Sequence, residues 1–239
     1  MHSTPPWQPA PGSVPDRLLA VGTAGLSAAL RKRGFHDVFV EGVAALSPGS
    51  RIAGPARTLR FVPYRPDLFA ERGGGLNPQK RAFDTVGRGE VLVIEARGVT
   101  ETGTLGDILA LRALHRGAAG VVTDGGVRDR RAVADCGLAV FARGAHPSVL
   151  GRRHVPWETD AVIACGGAAV VPGDLVVGDE DGVIVVPAAL VDEVLDEAER
   201  QESHDQWIAA RVVEGASIDG LFPMNAQWRA RYESDRPDA

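Results

Sequence analysis

Lysine is nearly missing from this 239-residue chain: Lys32 and Lys80 are the only two. Lys32 ends a helix in an Arg-Lys-Arg run and Lys80 sits in a Gly/Asn/Pro loop. Neither has the desolvated setting that Schiff-base catalysis needs. Cysteine is equally scarce. Cys136 and Cys165 stand far apart without CxxC or Cys/His spacing, which argues against a zinc site or disulfide framework. A reduced, cytoplasmic setting is the expectation. No apolar run approaches about eighteen residues. The opening MHSTPPWQPAPGSVPD is polar and proline-rich rather than signal-like, so neither a membrane partner nor export is expected. A formal net charge of -5, with short and scattered basic runs, argues against nucleic acid as a partner. GxSxG is missing, no GxGxxG follows a strand, and GGGLNPQK lacks P-loop spacing.

What remains is a spacing. Asp107 is followed, after twenty residues, by Arg128-Asp129, inside GTLGDILALRALHRGAAGVVTDGGVRD. This stretch reads as a loop, a helix from about Gly106 to Arg116 and a strand from about Gly120 to Asp124. The helix rises roughly 16 Å at about 1.5 Å per residue, and the strand returns a similar distance at about 3.3 Å per residue. Asp107 and Arg128-Asp129 therefore share one edge of a βα unit, where open α/β sheets place ligands. Two carboxylates and a guanidinium at a helix N-terminus can hold a divalent cation and an anionic substrate together. An aspartate opening a helix is also a common cap, and Arg-Asp a common solvated pair, so spacing alone leaves both readings open.

Along the chain, residues 1–15 carry five prolines and read as a flexible N-terminal segment. Asp16 to Arg33 reads as a helix interrupted around Gly22–Gly25. Short strands are expected near Val38–Val40 and Ala56–Val62, a buried strand from Glu90, a short helix over Asp129–Asp135 and a strand over Leu138–Ala142. Pro63 to Arg88 is the least regular part, where ERGGGLNPQKRAFD reads as a Gly-rich loop with a short helix. Beyond Pro147, apolar runs at 161–164, 168–170, 174–177 and 182–186 alternate with Gly-containing turns and suggest a β-rich half. GDEDG, at 178–182, reads as a hairpin turn rather than a calcium loop. Pro187 opens a long helix, Ala188 to about Val213, with an apolar stripe in its first half and a more polar second half. The stretch after Gly215, which includes the C-terminal tail 224–239, resists assignment. His115 reads as a cap or surface group, and His146, after a strand, is a further candidate to approach the site.

These residues carry a resemblance. The chain resembles the regulator of ribonuclease activity A family, which includes 4-hydroxy-4-methyl-2-oxoglutarate / 4-carboxy-4-hydroxy-2-oxoadipate aldolases and oxaloacetate decarboxylases. The matching stretches are GDILALRALHRGAAGVVTDGGVRD, VFARG, PGDLVVGDEDGVIVVP and IAARVVEGASIDGLFP, with DRLLAVGTAGLSAAL at the start. They span residues 16–223, taken as one catalytic domain.

The resemblance implies an α/β fold of the swivelling β/β/α type with a long C-terminal helix, assembled as a homotrimer or a dimer of trimers. It implies a divalent metal, Mg2+ or alternatively Mn2+, bound by Asp129 with waters that Asp107 helps hold. It implies that Arg128 contacts keto-acid oxygens and that backbone amides around Gly106, Asp107, Ile108 and Leu109 take the substrate carboxylate. An acidic residue from a neighbour's last helix completes the family site; ten positions before Gly215, Asp205 matches it, with Glu202 as the alternative. The family aldolases carry glutamate there.

The chemistry agrees with that reading. Cleaving a carbon–carbon bond beside a 2-keto acid leaves an enolate, which a cation stabilises without a lysine. Oxaloacetate decarboxylation passes through the same pyruvate enolate. The expected activity is thus a class II aldolase acting on a 4-hydroxy-2-keto acid, with oxaloacetate decarboxylation beside it. The alternative from another class is a non-catalytic, protein-binding regulator of ribonuclease activity.

Overall fold

Runs of β-branched residues, broken by glycine and proline, set the strands; amphipathic stretches between them set the helices. The computed structural model describes residues 4–235. In chain order these form α1 (Val14–Lys32), β1 (Ala44–Ala45), β2 (Ile52–Pro63), α2 (Pro66–Arg72), α3 (Pro78–Thr85), β3 (Val91–Glu95) and α4 (Asp107–Arg116). There follow β4 (Gly120–Val127), α5 (Arg130–Asp135), β5 (Val140–Ala145), β6 (His154–Thr159), β7 (Ile163–Cys165) and β8 (Ala168–Val170). β9 (Leu175–Asp179), β10 (Gly182–Val186), α6 (Val191–Val213) and α7 (Ala226–Asp235) complete the order.

β2, β3, β4 and β5 run parallel in that order, linked by crossovers that carry the helices. Twelve-residue β2 is long enough to serve two partners on its other edge: β9 along Ile52–Pro55 and β6 along Leu59–Pro63, both antiparallel. The β9–β10 hairpin extends the sheet. Val40 N–H then bonds Val183 O and Val185 N–H bonds Val38 O, each at 2.9 Å, while β1 pairs β5. The segment 38–45 thus bridges β10 to β5 and bends the sheet into a nearly closed barrel.

Alternation along each strand divides the apolar residues into two sets. Val91, Val93, Val122, Phe141, Val176 and Val185 point into the barrel. Leu92, Ile94, Val121 and Val140 point outward beneath α3, α4 and α5. On the opposite flank, Val177, Ile184 and Val186 pack under α1 and α6 with Leu18, Leu26, Leu30, Val194 and Leu195. Arg17 clamps α1 to α6 through Glu199 and Asp196, at 2.6 and 3.0 Å.

The GDEDG segment forms the β9–β10 turn, and its first aspartate has a further task. α1 breaks at Gly22, whose φ of 77° needs glycine. Asp179 accepts the Thr23 N–H at 2.7 Å and the Thr23 hydroxyl at 2.8 Å, capping the helix where it restarts.

Several elements differ from the sequence expectation. The 38–40 strand is a single bridge, Phe39 to Ile184. The irregular 63–88 segment contains two helices: α3 falls where a short helix was expected, and α2 was not anticipated. β6 was not anticipated: HVPWET carries a proline mid-strand, tolerated because Pro156 sits opposite a register shift at Arg60/Phe61. The unassigned tail contains α7, which docks on α6 through Trp228 and Tyr232, around Ile208, Leu221 and Met224. Within the N-terminal segment Trp7 lies against Gly89, and residues 1–3 fall outside the described region. Among the described residues, no helix is long and apolar enough to cross a membrane.

Candidate active site

The edge where β3 and β4 end is covered by the loop that leads into α4. That loop hydrogen-bonds to the end of β4 almost as an added strand. Thr104 N–H reaches Gly126 O at 2.7 Å, and Arg128 N–H reaches Leu105 O at 2.9 Å. On its other side, Gly103 N–H meets Ser148 O at 2.9 Å and the Thr102 hydroxyl meets Val149 O at 2.6 Å. Arg128-Asp129, Gly106-Asp107 and the 148–150 turn are thereby brought to one place. They enclose a cleft of about 260 Å³ lined by Gln79, Gly106, Asp107, Leu109, Arg128 and Asp129, with Ile108, Val149 and Leu150 on its walls.

Two glycines make this approach possible by having no side chain. A Cβ on Gly103 would stand 2.2 Å from Arg128 Cγ, and one on Gly106 would stand 2.9 Å from Asp129 Oδ2. The stem of Arg128 therefore lies directly over Gly103, and the Asp129 carboxylate lies against the N-cap of α4. Asp129 has φ 52° and ψ 39°, a left-handed conformation that a β-carbon disfavours. It precedes α5, yet its carboxylate makes no capping bond, so its oxygens remain uncommitted. Strain of this kind commonly marks functional positions.

Arg128 adds a second uncommitted group. Its Nε is buried and has no partner. A buried guanidinium donor left unsatisfied costs about 1–3 kcal/mol, a cost that an anionic oxygen in the cleft would remove. Asp107 opens α4, with its Oδ1 on the Ile108 N–H at 2.8 Å. Gly106 at the N-cap contributes no side-chain cap, so of the first-turn amides only that of Ile108 has a side-chain acceptor among the described residues. The helix terminus and Arg128 together favour an anion.

All the sequence-selected residues of the βα edge, Gly106, Asp107, Ile108, Leu109, Arg128 and Asp129, line this one cleft. Asp205 does not. It lies on α6, where its Oδ1 accepts from Gln201 Nε2 at 2.9 Å, and Glu202 is engaged by Gln206 at 2.9 Å. Neither lines the cleft of its own chain. His146 is also outside it, held by the Ser148 N–H at 3.0 Å. Sequence reasoning missed Gln79, whose buried side chain donates to Thr104 O. Its signal was present: Asn77 caps α3 by accepting the Lys80 N–H at 3.0 Å, and Pro78 takes the first helical position.

Among the described residues no group of three or more His, Cys, Asp or Glu is placed to hold a metal. The donor set of the cleft instead fits a hard cation carried by one carboxylate, with water and substrate oxygens as its other ligands, as magnesium commonly is. The uncommitted Asp129 carboxylate supports that fit, and Arg128 beside it suits the oxygens of an anionic substrate.

Residues 23–185 match the family described as RraA-like, Aldolase/RraA, a span that holds Asp107, Arg128 and Asp129 and ends before Asp205. A protein of Halalkalibacterium halodurans named "Putative 4-hydroxy-4-methyl-2-oxoglutarate aldolase" is 32% identical over 166 residues, 67% of this chain and 71% of that protein. The crystal structure of Streptomyces coelicolor RraAS2, described as an unusual member of the RNase ES inhibitor RraA protein family, is 34% identical. It covers 84% of this chain and 98% of its own, with a TM-score of 0.76. An uncharacterized protein from Pseudomonas syringae pv. tomato is 29% identical with a TM-score of 0.80, covering 92% and 97% of the two chains. By sequence and by fold alike, this chain belongs to the RraA-like, Aldolase/RraA family.

Proposed function

We propose that the chain is a metal-dependent carbon–carbon lyase that releases pyruvate from a 4-hydroxy-2-keto acid and also decarboxylates oxaloacetate. The observation that carries this reading is the pair of uncommitted groups in one cleft: the buried, unpartnered Nε of Arg128 and the carboxylate of Asp129. The aldolase name of the Halalkalibacterium relative supports the same reaction class.

A divalent cation held by Asp129, with its waters ordered by Asp107, would supply charge to the 2-keto oxygen. The first-turn amides of α4 receive the substrate carboxylate, and Arg128 donates to the oxygen on which negative charge develops as the bond breaks. Because the amides belong to a helix and the Arg128 stem is packed over Gly103 before substrate arrives, little reorganisation is needed at the moment of reaction. Gln79 and the apolar Val149–Leu150 wall line the rest of the cleft, where the part of the substrate that differs between acceptor carbonyls would lie.

The remaining acidic group comes from a neighbouring subunit in this proposal. Asp205 stands away from the cleft of its own chain, on the second half of α6 beside the Trp207–Ile208 segment that α7 covers. A homotrimer or dimer of trimers would bring it to the next protomer's cleft. The regulatory reading draws on the ribonuclease-inhibitor description of the Streptomyces neighbour; it leaves the unpartnered Arg128 without a use.

A panel of 4-hydroxy-2-keto acids, with oxaloacetate, assayed for pyruvate release tests the proposal. Turnover of at least one compound is expected. Loss of that turnover in Arg128→Ala ties it to this cleft, and activity unchanged by that substitution would overturn the assignment.

A further inference from the structure

A second group of cations lies on the far side of the loop that shapes the cleft. Residues 96–99 form a tight turn closed by Val99 N–H on Ala96 O at 3.1 Å, and both central residues are left-handed, Arg97 at φ 59° and Gly98 at φ 69°. Such a turn favours asparagine or glycine at its first central position, so an arginine there is strained. The turn is held from below by Asp124, a buried residue of β4. Its two carboxylate oxygens accept the N–H groups of Ala96 and Gly98, at 2.5 and 2.9 Å, on either side of Arg97.

The Arg97 side chain is fixed as firmly as its backbone. Its Nη2 donates to Arg153 O and to His154 Nδ1, each at 3.1 Å. A guanidinium has no acceptor, so His154 Nδ1 accepts and the ring is neutral. Burial, with Arg97 adding to it, pushes the His154 pKa down to about 4. Both acceptors are uncharged, which leaves the positive charge of Arg97 unneutralised. Arg152 likewise donates to an uncharged acceptor, Ser148 Oγ at 3.2 Å.

Arg97, Arg152 and Arg153 line a cavity of about 400 Å³ with Tyr64, Val99 and Glu101. Arg17, Arg33, Arg57 and Arg112 each hold a carboxylate elsewhere. None of the three cavity arginines forms an ion pair among the described residues. Glu101 is the single carboxylate in the lining, leaving a formal surplus of two positive charges. The cavity shares the 97–105 loop and the 148–153 turn with the reaction cleft but has no lining residue in common with it.

We propose that this cavity binds a small polyanion, a molecule with two or more closely spaced carboxylate or phosphate groups, at a site distinct from the reaction cleft. The strained, neutrally anchored Arg97 is the fixed element, and the unpartnered Arg153 closes on the ligand. Guanidinium groups suit this task because their fork matches paired anionic oxygens.

Isothermal titration of the metal-free, full-length protein with citrate and with inorganic pyrophosphate, at constant ionic strength, tests the site. Saturable binding of at least one is expected, and the tighter of the two tells carboxylate from phosphate recognition. Arg128→Ala should bind as the wild type does, whereas Arg153→Gln and Arg97→Gln should each weaken binding on the order of tenfold, about 1.4 kcal/mol. Arg153 has no side-chain partner to lose, so its variant keeps the test decisive if Arg97→Gln fails to fold. Absence of saturable binding at millimolar anion, or binding lost in Arg128→Ala and kept in Arg153→Gln, would overturn the proposal.

Discussion

Gly103 lies so close beneath Arg128 that a methyl group on it would stand 2.2 Å from the arginine's Cγ. The contact is with the stem of the side chain rather than its flexible end, so alanine at 103 must push the whole guanidinium aside. Gly103→Ala should lose about 1–3 kcal/mol of stability from overpacking. Its turnover should fall further than a loss of stability explains, on the order of a hundredfold, as expected when one charge-stabilising contact is misplaced. Steady-state kinetics beside a urea melt separate the two effects. Wild-type turnover would mean that Arg128 does not act from this position.

Arg128 and Asp129 are adjacent yet carry different chemistry. A carboxylate ligates hard cations and a guanidinium cannot. Asp129→Ala should abolish magnesium binding measured by titration. Arg128→Ala should retain the metal and lose turnover on the order of a hundredfold. Equal loss of metal in both variants would refute the division of roles.

The shared-site proposal is checked by mixing. Asp205→Ala and Asp129→Ala should each be impaired alone, and oligomers assembled from both should regain activity in sites that combine two intact residues. No recovery after demonstrated subunit exchange would show that Asp205 does not serve a neighbour.

Asp179 offers a test of the fold apart from function. It satisfies two donors of buried Thr23 at the helix restart after Gly22. Asp179→Ala should lower stability by about 2 kcal/mol, the cost of a lost cap and an unmet buried donor. The urea midpoint should drop with an unchanged slope.

His154 gives a pH dependence. Its folded pKa of about 4 lies below the ordinary histidine value, because burial opposes the charged ring. The unfolded chain therefore binds a proton that the folded one refuses between about pH 6.5 and 4. The stability from this group is complete above the upper limit and is lost as pH falls through that window. On the order of 3 kcal/mol is at stake. His154→Gln should flatten that part of the stability profile, which denaturant melts at pH 7 and pH 5 would reveal.

The βα edge was legible because it obeys local rules. A glycine N-cap, an apolar helical stripe and a Val-rich strand follow each other at lengths that return the chain to one edge. The kink at Gly22 and the β9–β10 hairpin were legible for the same reason. β6 was not, because its proline and polar residues match a strand only opposite the shift in β2, a tertiary circumstance. The short helix that carries Gln79 was legible, but the place of its side chain was not, because its partner Thr104 comes from another loop. The task of Asp124 was hidden too, because its partners, Ala96 and Gly98, come from another loop. No local pattern announces a carboxylate that serves distant backbone.

The central claim is that the Asp107–Arg128–Asp129 cleft works with a divalent cation rather than a lysine. Its most direct measurement is the rate of pyruvate release by metal-stripped protein in EDTA, before and after magnesium or manganese is restored. The account predicts that turnover disappears in EDTA and returns with the metal in the wild type, and that Asp129→Ala stays inactive throughout. Undiminished turnover in EDTA, or a borohydride-trapped adduct on Lys32 or Lys80, would contradict it.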